Sequence, residues 1–545
     1  MDGDEEARRL KAKLNKAKKA KKKRSKAKKE AAAAAAGEAK RVQTVDDPSN
    51  KKSSANAEET EDNLHFEDPY EDVYEEEDVI EAEEDDNEGE EGDDSKMAVE
   101  KDDDDEDEEK VQRAYFAPSK IGEGEELEVD TSAYGTLQQM RFDWPALSFD
   151  FFKDHMGQDR TRYPTSVWFV AGTQTDSGRG NELNVVRLGN IHRTKEEDED
   201  GMVVLDDDDE EGDATMDFRK LEHPDGGVNR VRAMPQQPGI VASWSESGKV
   251  HLYDARKQLQ TLDLELVSGG SGVVQRVAPV FTFTKHREEG FAMDWSPCKA
   301  GRLATGDCNK EIYVWDVGTG GGAGVSVDSA PFKGHNGSVE DLQWSPTEEN
   351  VFASCSTDGT VRIWDVRVKN RSMLTQQAHE QDVNVISWNQ RVAYLLASGS
   401  DDCSFKVWDL RQLSGSAKAE PVGWFKGFHT DAITSIDWSP HDESVIACAS
   451  ADHQTTVWDL ALEEDREFAR QAADQGLAED VLDENGKPIQ FPPQLLFIHA
   501  GVRDPKELHF HPQVVGMIGV TGDSGFDVFV CEPLDPKAQV LNKTE

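Results

Sequence analysis

The chain has 545 residues, and 110 acidic side chains against 61 Lys and Arg give it a formal net charge of −49. Its length allows about two to four domains. No run of about 18 apolar residues occurs and the N-terminus lacks the apolar core of a signal peptide, so we expect neither a membrane span nor secretion. The six cysteines form no C-x-x-C pair, which indicates reduced core residues of a cytosolic or nuclear protein.

The first 112 residues are predicted to be disordered because their charge is separated into two blocks. Residues 8–29 contain fourteen Lys or Arg and no acid, whereas residues 58–109 contain thirty-one acids and two Lys. Such blocks cannot bury enough apolar surface to offset the loss of chain entropy. The basic block fits a nuclear or nucleolar localisation signal, and the alternative is non-specific RNA binding.

Four later segments share one pattern, in which a His is followed by an apolar stretch, a run of small residues and a strand that ends in Trp-Asp. The Trp follows its His at one interval, since 315−286, 364−335, 408−379 and 458−429 all give 29. Alternating β-branched and aromatic residues between Pro, Asp and Gly turns predict three strands per unit, with a fourth before the next His. The pattern resembles the WD-repeat β-propeller, an all-β fold of four-stranded blades.

The repeated residues are predicted to be structural and not catalytic. In each blade a His and a turn Asp are expected to lie within reach of each other, and the Trp N–H needs a partner in the same blade. The residues are His286 and Trp315; His335, Asp358 and Trp364; His379, Asp402 and Trp408; and His429, Asp452 and Trp458. In the first unit Asp307 lies eight residues before the Trp (315−307) and not six (364−358), which predicts a longer turn.

Weaker copies of the repeat bring the predicted ring to seven blades. Tyr253 in "SESGKVHLYDAR" and Phe529 in "TGDSGFDVFV" replace the Trp, and "SVWFVAGT" with "NELNVVRL" supply strands of one more blade. We expect "ALSFDFF" (146–152) to be an N-terminal strand that completes the last blade and so removes the sheet edges.

The predicted domain boundaries follow from this ring. Residues 113–145 would lead into a propeller at 146–540. Three insertions account for the excess length, near 193–213, 259–280 and 461–491, and the first and third are acidic.

The sequence reads as a binding module and not as an enzyme. It contains no P-loop, nucleophile elbow or metal-spaced His/Cys cluster, so no catalytic, cofactor-binding or metal-ligating residue is predicted. Acidic residues do recur in the loops that enter the blades just after each repeat His. A ring of carboxylates there would focus a negative potential on one opening of the central channel.

Two arginines suggest a second kind of contact. "WDVR" and "WDLR" place Arg367 and Arg411 two residues after Trp-Asp. The sequences resemble the motif by which WD proteins act as substrate receptors of cullin ubiquitin ligases. Arg367 and Arg411 are therefore candidates for binding a ligase adaptor.

The region around the first predicted strands resembles one particular family. "KIGEGEELEVDTSAYGTL", "FDWPALSFDF" and "RYPTSVWFVAGTQ" are similar to the glutamate-rich WD-repeat proteins, which include a nucleolar factor that chaperones the large-subunit ribosomal protein of the L-three family. "DWPALS", "HPDGGVNRVRAMPQQPGIVA" and "PPQLLFIHAG" are also similar to the histone-binding WD proteins. The resemblance covers residues 114 to about 535.

The resemblance implies a non-enzymatic chaperone of the nucleus and nucleolus, with cytoplasmic shuttling left open. Its expected partners are a basic ribosomal protein of the L-three family and pre-ribosomal particles, and we expect a monomer without a membrane partner. A histone-binding chaperone and a cullin-ligase receptor are the alternatives. Pro118, Gly122 and Gly124 disfavour the long amphipathic helix of the histone-binding members, which favours the ribosomal protein as the client.

The candidates for contact with a basic client are acids of three regions, the predicted channel mouth, the third insertion and the tail. They are Glu288, Glu289, Glu340, Asp382, Asp431, Glu463, Glu464, Asp465, Asp103 and Asp104.

Overall fold

The computed structural model describes residues between 129 and 534. The described ranges are 129–175, 180–194, 196–197, 203–204, 214–264, 274–318, 324–328, 330–413, 419–463 and 491–534. The chain divides into two units, 1–114 and 115–545, and all described residues belong to the second. The predicted disordered region at 1–112 and most of the acidic insertions thus lie outside the described residues.

Seven four-stranded blades form a closed ring, which confirms the predicted all-β propeller. From the innermost strand outward, the strands of each blade are as follows. Blade 1 has β2 (Ala146–Phe151), β3 (Thr165–Thr173), β4 (Glu182–Ile191) and β7 (Thr215–Glu222); blade 2 has β8 (Val228–Ala233), β9 (Ile240–Ser245), β10 (Val250–Asp254) and β12 (Phe281–Phe283); blade 3 has β13 (Ala292–Trp295), β14 (Arg302–Gly306), β15 (Ile312–Val317) and β16 (Val325–Val327). Blade 4 has β17 (Val339–Trp344), β18 (Val351–Ser356), β19 (Thr360–Asp365) and β20 (Leu374–Gln377); blade 5 has β21 (Val383–Trp388), β22 (Leu395–Ser400), β23 (Phe405–Asp409) and β24 (Gly423–Phe425). Blade 6 has β25 (Ile433–Trp438), β26 (Val445–Ser450), β27 (Gln454–Asp459) and β28 (Leu495–His499); blade 7 has β29 (Pro505–Phe510), β30 (Met517–Gly522), β31 (Gly525–Cys531) and β1 (Tyr134–Met140).

A few short elements complete the described structure. They are 3₁₀ helices at Thr131–Ala133 and Glu532–Leu534, a hairpin of β5 (Glu196–Glu197) and β6 (Val203–Val204), helix α1 (Arg256–Leu264) and β11 (Val274–Gln275). Strand β11 pairs in parallel with β7 as a fifth strand of blade 1. None of the helices in the described ranges has the length and apolar character needed to cross a membrane.

Apolar packing between neighbouring blades holds the ring together. Strand β26 is buried along its whole length, because both of its faces lie against other blades. Its side chains join those of blade 7 in one core cluster, which includes Val445, Ala447, Leu508 and Val520. A strand buried on both faces reads as a continuous run of apolar and small residues, as "VIACAS" does here.

The strand that closes the ring is β1, and the prediction that 146–152 has this role was wrong. Strand β1 pairs antiparallel with β31, with Leu137 opposite Phe529, whereas Ala146–Phe151 is the innermost strand of blade 1. The burial of the two strands explains the difference. Phe149 in β2 is fully buried, as a channel-side strand requires, while β1 is partly exposed along its length. The propeller therefore begins at Tyr134, inside the segment expected to lead into it.

Tyr134 fixes the closing strand to its blade. Its hydroxyl lies 2.8 Å from Nδ1 of His499, and its ring meets Phe497 and Phe529 edge-on. Asp527 bridges the same group, because its carboxylate lies 3.2 Å from Nε2 of His499.

In four blades a His, an Asp, a hydroxyl and a Trp form a chain of polar contacts. In blade 4, His335 Nδ1 lies 3.1 Å from Asp358 and Nε2 lies 2.7 Å from Ser354 Oγ, to which Trp364 Nε1 also donates at 2.8 Å. Thr305, Ser398 and Thr456 provide the hydroxyl in blades 3, 5 and 6. The sequence interpretation did not identify this hydroxyl, which connects the His to the Trp.

The turn of blade 3 is not longer, contrary to the prediction. Thr305 precedes Trp315 by the same ten residues (315−305) that separate Ser354 from Trp364 (364−354). Asp307 instead lies two positions earlier on a turn of ordinary length. Its carboxylate still reaches His286 Nδ1 at 2.8 Å.

The closing strand gives a truncation test. Removal of residues 1–128 leaves every described strand in place, so we expect an unchanged melting temperature. Removal of residues 1–141 takes away β1 and exposes the edge of β31, which should lower the melting temperature by about 10 °C or more and promote aggregation. Circular dichroism melts and size-exclusion chromatography measure both effects. Equal stability of the two truncated proteins would contradict the role of β1.

Candidate protein-binding site at the channel mouth

The connections from the outer strand of one blade to the inner strand of the next all lie at one end of the ring, called here the entry end. Five candidate carboxylates are at this end, on blades 3 to 6. Glu288, Glu289 and Asp431 are exposed, and Glu340 and Asp382 are half-buried. These five residues define the channel mouth.

The five residues come from equivalent connections but not from equivalent positions. Counted from the repeat His, Glu289 and Asp382 are three residues later (289−286, 382−379), Asp431 is two (431−429) and Glu340 is five (340−335). Glu340 therefore lies within β17, at the irregularity in its pairing between Val339 and Asp341. Burial raises the pKa of Glu340, although Ser338 and Arg230 act against the shift. Glu340 belongs to the upper channel wall, while the other four lie on the connections above it.

The local contacts orient part of this group. Asn229 Nδ2 of blade 2 donates to Glu289 Oε2 at 3.0 Å, and Asp431 Oδ1 accepts from the N–H of Ala432 at 2.7 Å. Burial, with a smaller contribution from Asp401, raises the pKa of Asp382. The contacts hold the carboxylates of Glu289 and Asp431 in place on the connections.

The carboxylates form an arc and not the complete ring that was expected. At the entry end of blade 7 stand two bases, Arg503 and Lys506, with Lys506 Nζ paired to Asp504 at 2.6 Å. At the entrance to blade 1 is Trp144, whose exposed fraction is 40%. The negative potential at the channel mouth is thus confined to blades 3 to 6.

The remaining client candidates are not brought to this arc. Glu463 follows β27 on the connection to an outer strand, which lies at the end of the ring opposite the mouth. Glu464, Asp465, Asp103 and Asp104 lie outside the described residues.

The sequence interpretation missed the charges that line the channel below the mouth. Glu507 of β29, whose side chain is 1% exposed, accepts from Arg230 and, at 2.6 Å, from Arg232. Burial alone would raise the pKa of Glu507, but Arg232 and Arg230 hold it well below its ordinary value. Burial and Arg232 lower the pKa of His509, yet its carboxylate neighbours Asp437 and Glu507 raise it to about 9.

Inner-strand side chains also join each blade to the next. Asp150 accepts from the N–H of Ala233 at 2.8 Å, and Asp294 accepts from the N–H of Trp344 at 2.8 Å. The same arrangement links Asp341 to Ile386, Ser387 to Trp438, Asp437 to Phe510 and Glu507 to Phe149. Between blades 2 and 3 the contact is reversed, because Arg230 Nε donates to Phe291 O at 2.8 Å. The Asp before Trp in "DWSP" (294 and 437) was the signal that could have revealed this role.

Burial affects the titration of these linking groups. It raises the pKa of Asp294 to about 7, although the N–H of Trp344 and the Arg232 guanidinium act against the shift. Burial also raises the pKa of Asp150 and Asp341. The channel wall is therefore less negative than its count of carboxyl groups suggests, which leaves the exposed arc as the main source of negative potential.

Arg367 and Arg411 lie at the end of the ring opposite the mouth. Each forms an ion pair with the Asp two residues before it, at 2.5 and 2.7 Å, and their side chains remain 70% and 62% exposed. Arg411 also lies 3.5 Å from the ring centroid of Tyr394. Asp254 and Arg256 form a third pair of this kind at 2.5 Å. Adaptor binding by Arg367 and Arg411 stays a prediction.

The raised pKa of His509 gives a pH prediction. Because the folded protein binds this proton more tightly than an unfolded His of pKa about 6.5, the stabilisation is complete below pH 6.5 and is lost as the pH rises through about 9. Replacement His509→Asn should remove about 2–3 kcal/mol of this pH-dependent stability, at 1.36 kcal/mol per pKa unit. Denaturant unfolding between pH 6 and 10 measures it, with exposed His155→Asn as the control. An unchanged pH slope in His509→Asn would contradict the assignment.

Three comparisons relate the chain to known proteins. Residues 124–192 match the family model of the histone-binding protein RBBP4 and its counterpart in the CAF1 complex, and residues 326–365, 370–409 and 420–459 match the WD domain, G-beta repeat. The chain is 44% identical to Protein HEAT STRESS TOLERANT DWD 1 of Arabidopsis thaliana, over 75% of this chain and 88% of the relative. It is 42% identical to Ribosome assembly protein rrb1 of Schizosaccharomyces pombe, over 75% and 82%. It is 43% identical to Glutamate-rich WD repeat-containing protein 1 of Dictyostelium discoideum, over 77% and 84%.

Among solved structures, the WD40 β-propeller domain of Doa1 matches with a TM-score of 0.45 and 13% identity, over 73% of this chain and 96% of that one.

Proposed function

Because the chain belongs to the glutamate-rich WD-repeat family, as its sequence suggested, we propose that it is a non-enzymatic chaperone in ribosome biogenesis. Its client is a basic, newly made ribosomal protein of the L-three family, which it accompanies to the assembling large subunit in the nucleus and nucleolus. The Schizosaccharomyces pombe relative, named for ribosome assembly, supports the process. The resemblance noted in the sequence supports the choice of client.

The single observation that carries the proposal is the unneutralised arc at the channel mouth. Among the described residues, none of the five mouth carboxylates forms a salt bridge, whereas the channel charges below are paired through Arg230, Arg232 and Glu507. Carboxylates without a cation of their own are available to Lys and Arg of a partner. Each charge-assisted contact would contribute about 1 kcal/mol where it is partly desolvated.

The charged blocks of the first 112 residues extend this mechanism. The thirty-one acids at 58–109 compete with nucleic acid for the Lys and Arg of the client. Their contacts are screened within about 8 Å at physiological salt. We therefore assign to this tract a role in solubility and association rate, and to the channel mouth the role of recognition. The basic block at 8–29 serves nuclear or nucleolar import.

A histone-binding chaperone is the second candidate function. It is favoured by the match of residues 124–192 to a family model described as histone-binding. Histones are also basic, so the same arc would suit them. Capture from nuclear extract at moderate salt, followed by mass spectrometry, separates the two. We expect one stoichiometric ribosomal protein, and histones in its place would favour the second candidate.

A charge reversal tests the channel mouth directly. The double variant Glu289→Lys and Asp431→Lys should weaken binding of the purified L-three family protein by more than tenfold and flatten its salt dependence. Both side chains are exposed, so the melting temperature should stay unchanged. Fluorescence titrations at several salt concentrations measure the affinity.

The matched control reverses two exposed acids at the opposite end of the ring, Glu348→Lys and Glu349→Lys. It makes the same change in net charge, and we expect at most a twofold effect on affinity. If both double variants weakened binding equally, the effect would come from net charge, and the mouth would not be the docking site.

A further inference from the structure

An exposed tryptophan occupies the part of the entry end that lacks carboxylates. Trp144 lies on the connection between β1 and β2, two residues before the inner strand of blade 1 (146−144). Asp431 has the same place before the inner strand of blade 6 (433−431). Trp144 is thus a counterpart, on blade 1, of a residue of the channel mouth.

The loop that presents Trp144 is held on both sides of it. Asp143 forms an ion pair with Lys220, and Pro145 O accepts from the N–H of Gln174 at 3.1 Å. Phe142 packs against the apolar core shared by blades 7 and 1. The 40% exposure of Trp144 therefore does not come from a loose loop.

The ring of Trp144 is available for contact, in contrast to that of another exposed tryptophan. Trp424 on blade 5 is 54% exposed, but Lys406 and Lys426 lie 4.6 and 5.3 Å from its ring centroid. Its indole N–H also donates to Ser404 Oγ at 3.1 Å. No described cation or aromatic ring has a comparable contact with Trp144. Trp144 thus keeps an aromatic face for a partner.

We propose that Trp144 binds an arginine of the basic client segment by stacking, while other cations of the same segment contact the carboxylate arc. This inference rests on the proposed function and adds a chemical preference to it. Blade 1 lies across the channel opening from blades 4 and 5 in the ring order, so a segment that leaves Glu340 or Asp382 across the channel reaches Trp144.

Arginine fits this position better than lysine. A planar guanidinium stacks on an aromatic face and is more weakly hydrated than an ammonium group. The chain itself shows such a contact where Arg411 lies 3.5 Å from the ring centroid of Tyr394. Cations at Trp144 need no carboxylate beside them, which suits the side of the mouth where carboxylates are absent.

The test compares two synthetic peptides of equal length and charge on the full chain, one of alternating Arg and Gly and one of alternating Lys and Gly. The acidic tract attracts both peptides through the same charge, so the ratio of the two affinities isolates the stacking contact. We expect about a three- to tenfold preference for the Arg peptide in the unmodified chain. Trp144→Ala should abolish the preference, and Trp144→Phe should retain part of it.

Trp424→Ala is the matched control, since it removes an exposed tryptophan away from the mouth, and the preference should survive in it. A preference that persists in Trp144→Ala, or disappears equally in Trp424→Ala, would overturn the inference. Equal binding of both peptides by the unmodified chain would overturn it too, yet leave the proposed function in place if Glu289→Lys with Asp431→Lys weakens both. If neither peptide bound at low salt, the proposed function would fail together with this inference.

Discussion

Hydrogen bonds between neighbouring inner strands are the constraint on which the ring depends. These strands line the channel side by side without forming a common sheet, so their backbone N–H groups need acceptors from elsewhere. Side chains of the preceding blade supply them at six of the seven junctions, for example Asp294 to Trp344. Junction 2–3 uses Arg230 as a donor instead. A polar channel wall is thus a structural necessity, and its charges alone do not indicate a binding site.

The candidate site is recognised by the opposite property. In the channel wall, Arg230 and Arg232 neutralise Glu507, and burial raises the pKa of Asp294 to about 7. The exposed acids above have no such compensation among the described residues. Charge that a fold leaves uncompensated at its surface is the charge that a partner can use. The location of a site on the connections and not on the strands also agrees with the way rigid scaffolds carry function on loops.

Much of the fold could be predicted because the repeat is written at a fixed interval, and the His-to-Trp spacing locates four blades without a structure. The closing strand was misassigned because "ALSFDFF" and "YGTLQQM" both read as strands, and only three-dimensional pairing shows which one meets β31. Glu340 and Glu289 looked equivalent in sequence, but an irregularity in β17 moves Glu340 onto the channel wall. The Arg230–Glu507 pair joins residues 277 positions apart, which no local pattern could reveal. Trp144 was part of a recognised motif, but its exposure was not predictable from that motif.

The origin of the closing strand has a consequence for how the protein is made. Strand β1 ends at Met140, and its partner β31 begins only at Gly525, so the first strand leaves the ribosome long before its neighbour exists. The inner strand of blade 1 likewise meets blade 7 only after almost the whole chain has been synthesised. The ring therefore closes after translation, and a nascent chain carries unsatisfied strand edges throughout its synthesis. A highly charged segment that emerges first, as the acidic tract does, would keep such a growing chain from associating with its neighbours on the same messenger RNA.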